Sequence, residues 1–474
     1  MRLSLKKLAE IIGGNLQGAN NMFSGISTDT RTLKKGEVFF ALKGERFNGH
    51  SFLKEAEKKG AKGAVIRKGY KYLPKSNFGL VYVNDPLYAL GEFARYIRAQ
   101  RKIKVVAITG SVGKTTTKTM CELVLSSKYK VESSPGNYNN LIGLPLSIFQ
   151  LKPETEVAVF ELATNQPGEI SRLAEICQPH IGIITKLAPA HLEGLKDLDG
   201  VEREKRALIP ALGASGTFIF NLDDQRLYRL ALGYAGKKIG ITTSSKNFNF
   251  ENMLRAKNLK VKKEDKGFYQ HFVVERINGA DKRSFPFKIK GTGAHLVENA
   301  LFAIACGWAL GIDTQRAYQA LLSFSPLAGR GAVEKISEKL WLMDESYNAS
   351  PKSMQKAILA FEQCVCLTGL RPVLVLGDML ELGEWEKDEH INLGRFLRQI
   401  KFEKLFYLGK NGQWLKEGLG KRLSKKLFWS ESLDELKKEL ERELKRGGIF
   451  LIKASNRVGL WRLVDWVKEQ KNAL

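Results

Sequence analysis

KVVAITGSVGKTT, residues 104–116, decides the fold of the chain around it. Within it, residues 105–108 form an apolar run rich in β-branched side chains, the pattern of a strand buried on both faces. The run ends in Gly110-Ser-Val-Gly113, and Lys114, Thr115 and Thr116 then open a helical stretch. In this order of strand, glycine-rich turn and helix, backbone N–H groups and the helix N-terminus point at a phosphate. A lysine then reaches the β and γ oxygens and a hydroxyl ligates Mg²⁺. Gly110, Ser111, Val112, Gly113, Lys114, Thr115 and Thr116 are therefore assigned to ATP, and Thr115 also to the metal. The full GxxxxGK[ST] pattern asks for glycine at 108, where Ile108 stands. A glycine-rich turn with a surface lysine competes, and the strand, loop and helix order favours the nucleotide.

Outward from this stretch, further strand runs lie at 157–162, 181–185 and 217–221. Helical stretches between the first three of these strands imply a parallel, helix-covered sheet. Residues 246–290 alternate and carry more charge, as an antiparallel edge would. After SPLAGRGA (325–332), a new alternation places strands at 341–344, 373–377, 404–408 and 449–453, a doubly wound unit. Before the stretch, short strand runs at 38–42, 64–67 and 80–83 and a helix over 85–100 make a small α/β unit. The fold class is thus α/β, with divisions expected at 1–101, 102–325 and 326–474, and with no internal repeat.

At 474 residues and 43% hydrophobic, the chain has ample core for about three domains. Its formal net charge of +26 raises the question of nucleic acid. The positives are interleaved with glutamate, as in LDELKKELERELKR (433–446), a solvated helix face with i,i+4 pairs. There are no RNP-type aromatics and no Cys/His finger spacing, so the basic surface reads as steering for anionic small substrates. Five cysteines without a CxxC pair fit a reducing cytoplasm. The opening MRLSLKKLAEIIGG breaks its apolar positions with Lys and Glu, unlike a signal peptide. The apolar stretch 301–312 is too short to span a bilayer, so no membrane insertion is expected.

Two residues at strand ends stand out. Glu161 ends VAVFEL, where the carboxyl edge of a parallel sheet meets ligands, although an ordinary strand-end acid facing water fits the same sequence. His191, in PAHLEG, follows the strand IGIIT, and an isolated loop histidine is more often structural than a ligand. Beside Thr115 the two form a candidate Mg²⁺ constellation, with histidine its unusual member.

Six segments together resemble the Mur ligase family over nearly the whole chain: TGSVGKTT, GNYNNLIGLP (136–145), FELATNQPGEI (160–170), ITKLAPAHLEG (184–194), GAHLVENA (293–300) and Gly329-Arg330. DESYNASPKSM (344–354) and LGDMLELGE (376–384) resemble the member that adds D-alanyl-D-alanine, and STDTRTLKKGEVFFALKGERFNGHSFL (27–53) its UDP-muramoyl-binding domain. Folylpolyglutamate synthetases share the central motifs but are not expected to carry that first domain. The resemblance implies a three-domain architecture: a UDP-muramoyl-peptide domain (1–101), a central P-loop ATPase domain (102–325) and a Rossmann-like ligase domain (326–474). It also implies the reaction. ATP phosphorylates the terminal carboxylate of UDP-N-acetylmuramoyl-tripeptide, and the amine of D-alanyl-D-alanine displaces phosphate to give the pentapeptide, a step of peptidoglycan synthesis.

By the same resemblance, Lys114 and Arg330 stabilise the transferred phosphoryl group, and Thr115, Glu161 and His191 hold Mg²⁺. Lys205, in VEREKRAL, aligns with a lysine that relatives carry as a carbamate, which requires a neutral, buried amine; a lysine on a charged helix is the competing reading. Asn299 matches an adenine contact and Asp344 a ribose contact, with Arg330 also at the nucleotide. Ser27, Asp29 and Arg31 match a uridine-nucleotide loop, against the alternative of a plain Asx turn. Asn137, Asn139, Asn140, Tyr347 and Asn348 are expected at the substrates, where caps and turns would use the same residues. A monomer is expected. The chain departs from the family pattern at Ala163 (usually glycine), Lys186 (usually asparagine) and Lys453-Ala-Ser-Asn456 (usually KGSR). An ATP-switched nucleic-acid binder is the rival class, and it has no reason to contain the YNASP, GDMLELGE and uridine-loop motifs.

Overall fold

The computed structural model describes residues 2–44, 47–74, 77–189, 192–264 and 267–470, which build three main β-sheets, each flanked by helices. The first sheet holds β1 (Asn15–Gly18), β2 (Gly25–Ser27), β3 (Glu37–Phe40), β4 (Gly63–Arg67) and β5 (Gly79–Val83) in the order β1-β5-β4-β3-β2. Only β1 runs antiparallel to its neighbour. Helices α1 (Leu5–Ile12) and α2 (Pro86–Ala99) bury Leu5, Leu8, Leu90 and Phe93 against it. α2 starts sharply because the Asp85 carboxylate accepts the N–H groups of Leu87 and Tyr88 at 2.8 and 3.3 Å. Pro86 fills the first helical position, where a missing N–H loses no bond. Near its other end, the buried Arg98 guanidinium donates to the carbonyls of Cys177 (2.9 Å) and Gln178 (3.3 Å), fastening the first unit to the second.

The second sheet has nine strands: β6 (Lys104–Thr109), β7 (Val131–Ser133), β8 (Val157–Glu161), β9 (Ile181–Ile184), β10 (Thr217–Asn221), β11 (Lys237–Thr242), β12 (Asn252–Glu264), β13 (Gly267–Asn278) and β14 (Asp281–Lys290). The order is β14-β13-β12-β11-β10-β9-β6-β8-β7, parallel from β7 to β12 and antiparallel beyond. Helices α3 (Lys114–Ser126) and α6 (Ala294–Ala309) cover one face, and α4 (Glu169–Cys177) and α5 (Leu198–Arg206) cover the other. Ile108 pairs with Glu161 on β8 and Ile183 on β9 and is fully buried. The strand is still in register there, which is why an isoleucine occupies the place the P-loop pattern gives to glycine.

The third sheet runs β15-β16-β20-β17-β18-β19, from β15 (Ala332–Lys335), β16 (Leu340–Asp344), β17 (Pro372–Gly377), β18 (Lys404–Leu408), β19 (Leu427–Ser430) and β20 (Gly448–Lys453). All but β15 are parallel. α7 (Pro351–Thr368) and α8 (Glu386–Leu397) pack on one face, and α9 (Leu433–Lys445) and α10 (Trp461–Glu469) on the other, the doubly wound layering expected. Among the described residues, no helix is long and apolar enough to cross a membrane.

The β12–β13 hairpin reaches out of the second sheet and inserts Phe268 into the core of the third. Its ring is 2% exposed and lies 5.4 Å from Trp341 at 76°, in edge contact, with the Lys263 ammonium over the other ring. Phe268→Ala removes a buried aromatic from a shared core and is expected to cost about 3 kcal/mol. The loss would be read as a lower urea midpoint for hydrogen exchange in β16; an unchanged midpoint would contradict the packing argument.

Candidate active site

The carboxyl ends of β6 and β8 face those of β16 and β20 across a cavity of about 400 Å³. Residues 111–116, Asn139, Glu161, His295 and Asn299 form one wall, and Arg330, Glu345, Tyr347–Ser350, Leu380–Leu382, Lys453 and Asn456–Arg457 form the other. The phosphate-loop residues expected from sequence thus lie together on one side of a cleft closed by the third domain.

The loop owes its course to two glycines with φ of +139° (Gly110) and +88° (Gly113). A Cβ at Gly110 would stand 2.1 Å from Thr185 Oγ1, and one at Gly113 2.6 Å from Asn299 Oδ1. The loop is also braced from β9: the Ser111 N–H donates to the Lys186 carbonyl at 2.9 Å and the Thr185 hydroxyl to the Val112 carbonyl at 2.7 Å. Lys114 Nζ donates to the Gly110 carbonyl at 2.8 Å. Burial lowers the Lys114 pKa from the ordinary lysine range; nearby Glu161 pulls it back up, and Arg330 pushes it down further.

Glu161 is buried, and each of its oxygens has a partner. The Thr115 hydroxyl donates to one at 2.7 Å and the Asn139 amide to the other at 2.9 Å. Asn139, expected at the substrate, therefore orients this carboxylate. Asn140 accepts the N–H groups of Ile142 and Gly143 in the turn that leads into the helix at Gly143–Gln150, and Asn137 is exposed in the same loop. Asn299 accepts a hydrogen bond from the Thr117 hydroxyl at 3.2 Å and abuts Gly113, against the phosphate loop. His191 lies outside the described residues.

From the opposite wall, the Arg330 guanidinium stacks on the Tyr347 ring at 3.7 Å. Gly329 precedes it at φ +74°, and a Cβ there would meet the Tyr347 backbone at 2.9 Å. Asp344, expected at the ribose, is buried and is not among the residues that line the cavity. Its carboxylate accepts the Gly329 N–H at 2.7 Å and the Ser346 hydroxyl at 2.6 Å. These bonds shape the turn that presents Arg330. Tyr347 and Asn348 line the cavity as expected, and the Asn348 carbonyl accepts from Lys453 Nζ at 2.9 Å.

Lys205 is 1% exposed on α5, within electrostatic reach of Lys114 and Glu161. Burial, with repulsion from Lys114, brings its pKa down to about 7, outweighing the pull of Glu204, Glu169 and Glu161. The neighbouring Glu204 carboxylate accepts the N–H groups of Gly168 and Ile170, both at 2.7 Å, at the start of α4. In the first domain, Asp29 and Arg31 form the Asx turn that sequence allowed: the Asp29 carboxylate accepts the Arg31 N–H at 2.9 Å and pairs with its exposed guanidinium at 2.6 Å, while the Ser27 hydroxyl accepts the Asp29 N–H at 3.2 Å. This turn is not part of the cavity wall.

Several residues that frame the site were given no role from sequence. Lys118, one turn beyond Lys114, is buried and donates to the carbonyls of Ser134 (2.5 Å) and Gly136 (3.3 Å), holding the loop that carries Asn139. Its spacing of four from Lys114 was the available signal. Lys453, paired with Glu345 at 3.3 Å, ends β20 beside β16, and only the sheet order brings the two together. Glu298 on α6 and Lys356 on α7 bridge the second and third units at 3.0 Å.

Three family models match the chain: the Mur ligase family catalytic domain over 22–97, the Mur ligase middle domain over 108–307 and the Mur ligase glutamate ligase domain over 332–456. The chain is 32% identical over 470 residues to the UDP-N-acetylmuramoyl-tripeptide–D-alanyl-D-alanine ligase of Bacillus subtilis, covering 98% of each. It is 31% identical over 420 residues to the Escherichia coli enzyme of the same name, covering 88% of each. Among solved structures, crystal structure I of MurF from Acinetobacter baumannii superposes with a TM-score of 0.87 at 26% identity over 99% of both chains. MurF ligase from Thermotoga maritima in complex with ADP gives 0.81 at 25% identity, over 94% of this chain and 98% of that one.

Proposed function

The chain belongs to the Mur ligase family, and from that premise we propose that it joins D-alanyl-D-alanine to UDP-N-acetylmuramoyl-tripeptide at the expense of ATP. Relatives matched over nearly the whole length of both chains carry the name of this activity. The observation that carries the mechanism is the facing of Lys114, Thr115 and Glu161 on one wall by Arg330 on the other. A terminal carboxylate oxygen of the tripeptide attacks the γ-phosphorus of ATP and ADP leaves. The neutral amine of the dipeptide then attacks the acyl carbon, phosphate leaves, and a proton is released. Charge accumulates on phosphoryl oxygens in both steps, so cations at fixed positions do the work without a side-chain nucleophile.

No group of three or more His, Cys, Asp or Glu suited to a metal occurs among the described residues. A cation here would draw its remaining ligands from phosphate and water, which suits Mg²⁺. Thr115 and Glu161, already 2.7 Å apart, would hold it, with His191 as a third ligand, and it would neutralise the β and γ oxygens. Lys205, buried and with its pKa lowered to about 7, suits a carbamate: the neutral form of its amine would add CO₂, forming an N–C bond and releasing one proton.

The substrates divide among residues 1–101, through Ser27, Asp29 and Arg31, for the UDP-muramoyl end, 102–325 for ATP and 326–474 for the acceptor. We place the reaction in the cytoplasm, on a monomer, with no nucleic acid involved. Phosphate release from ATP and Mg²⁺ tests the reading. It should require UDP-muramoyl tripeptide and D-alanyl-D-alanine together; release indifferent to both and stimulated by RNA or DNA would overturn it.

A further inference from the structure

Building on the ligase reading, we propose that Arg457 binds the terminal carboxylate of the incoming dipeptide and so makes the enzyme selective for acid-ended acceptors. The dipeptide brings an amine that is consumed and a carboxylate, roughly 6 Å along the chain, that is not. That anion is the feature by which the site can tell an acid-ended acceptor from a neutral one, and a guanidinium is a natural partner for it. Among the described residues, four Lys or Arg side chains line the cavity: Lys114, Arg330, Lys453 and Arg457. Lys114 belongs to the phosphate loop, and Arg330 is stacked on Tyr347 and close enough to lower the Lys114 pKa. Lys453 is 2% exposed and committed to Glu345 and the Asn348 carbonyl. Arg457 differs. Its side chain is 82% exposed, and its one ion-pair contact among the described residues is a long one, 4.0 Å to Glu381.

The backbone beneath it is nevertheless well fixed. Ser455 donates its N–H to the Asp378 carbonyl at 3.0 Å, and its hydroxyl accepts the Leu380 N–H at 2.9 Å, which ties the Arg457 turn to the 380–382 wall. Glu381 on that wall holds φ at +64°, a conformation non-glycine residues adopt at a cost and one that concentrates at ligand sites. The position where the family pattern carries arginine is Asn456, whose amide is tied to the Tyr347 carbonyl at 3.1 Å. The guanidinium of this chain thus stands one residue further on, at the cavity rim.

The test compares D-alanyl-D-alanine with D-alanyl-D-alaninamide, which keeps the amine and loses the charge. Wild type should show a KM at least about tenfold lower for the acid than for the amide. Arg457→Ala should raise KM for the acid by that factor, leave KM for the amide, ATP and UDP-tripeptide unchanged, and so abolish the discrimination; Arg457→Lys should recover part of it. An unchanged KM for the acid in Arg457→Ala, or equal increases for acid and amide, would overturn the assignment. Failure of wild type to ligate either acceptor would instead overturn the ligase reading, and the assignment with it.

Discussion

Lys114→Ala is expected to lower kcat for ligation about 10²- to 10³-fold while leaving the thermal midpoint unchanged or higher. The two effects have one origin. Lys114 is an ammonium placed against the cavity floor, where burial opposes its charge, and a carbonyl and the more distant Glu161 carboxylate offset that only in part. Once phosphate arrives, the same desolvated charge is worth more than it would be in water, because the low surrounding dielectric strengthens its attraction to the developing oxyanions. Removing it deletes the transition-state interaction and relieves the standing cost. Phosphate release and a thermal melt on one preparation check both halves. A large fall in the midpoint would mean that the lysine is structural, and full activity would remove it from the mechanism.

The second large effect belongs to Lys205. Lys205→Ala should reduce ligation on the order of 10²-fold, as loss of a metal-supporting outer ligand does. A short carboxylic acid able to enter the space left should restore much of it. Activity lost without such rescue would count against the carbamate. The unmodified lysine also makes a stability prediction. Its folded pKa of about 7 lies below that of the unfolded chain, so the folded state binds this proton less readily. Stability therefore rises as pH climbs from 7 toward the ordinary lysine value, and the destabilisation is complete below 7. Lys205→Met should thus exceed the CO₂-depleted parent in stability by the most below pH 7, with the gap closing above it. Denaturant titrations at pH 6 and pH 9 would show this, and a gap that did not change with pH would contradict it.

The sequence exposed those parts of the molecule whose pattern is local. The buried run at 104–109 and the glycines behind it predicted β6 and the phosphate loop, because period and turn chemistry act within a dozen residues. β8, β9 and β10 appeared within one residue of their observed ends for the same reason. β7, β15 and β19 passed unnoticed, being short and only partly buried, and β11 begins with two lysines that hide its apolar half. In the site, residues beside a glycine motif were legible and those assembled by sheet order were not. Lys453 and Glu345 lie 108 positions apart and meet only because β20 lies beside β16. Asp344 shows a second limit. A carboxylate at a strand's carboxyl end can face the ligand, brace the next turn or do both, and its bond to the Gly329 N–H, fifteen residues away, could not be read from the strand pattern. The pairing of Asp29 with Arg31 likewise depends on a turn whose occupancy sequence left open.

The insertion of Phe268 bears on how freely this chain can be taken apart. A segment beginning at 332 would fold around a gap that a residue from the preceding domain normally fills, and Trp341 would present a bare edge to water. The ligase domain is therefore not a portable module. A chimaera joining it to another nucleotide-binding core would need a hairpin with an aromatic at the same depth, and exchange between relatives would have to carry residues 252–278 along with it.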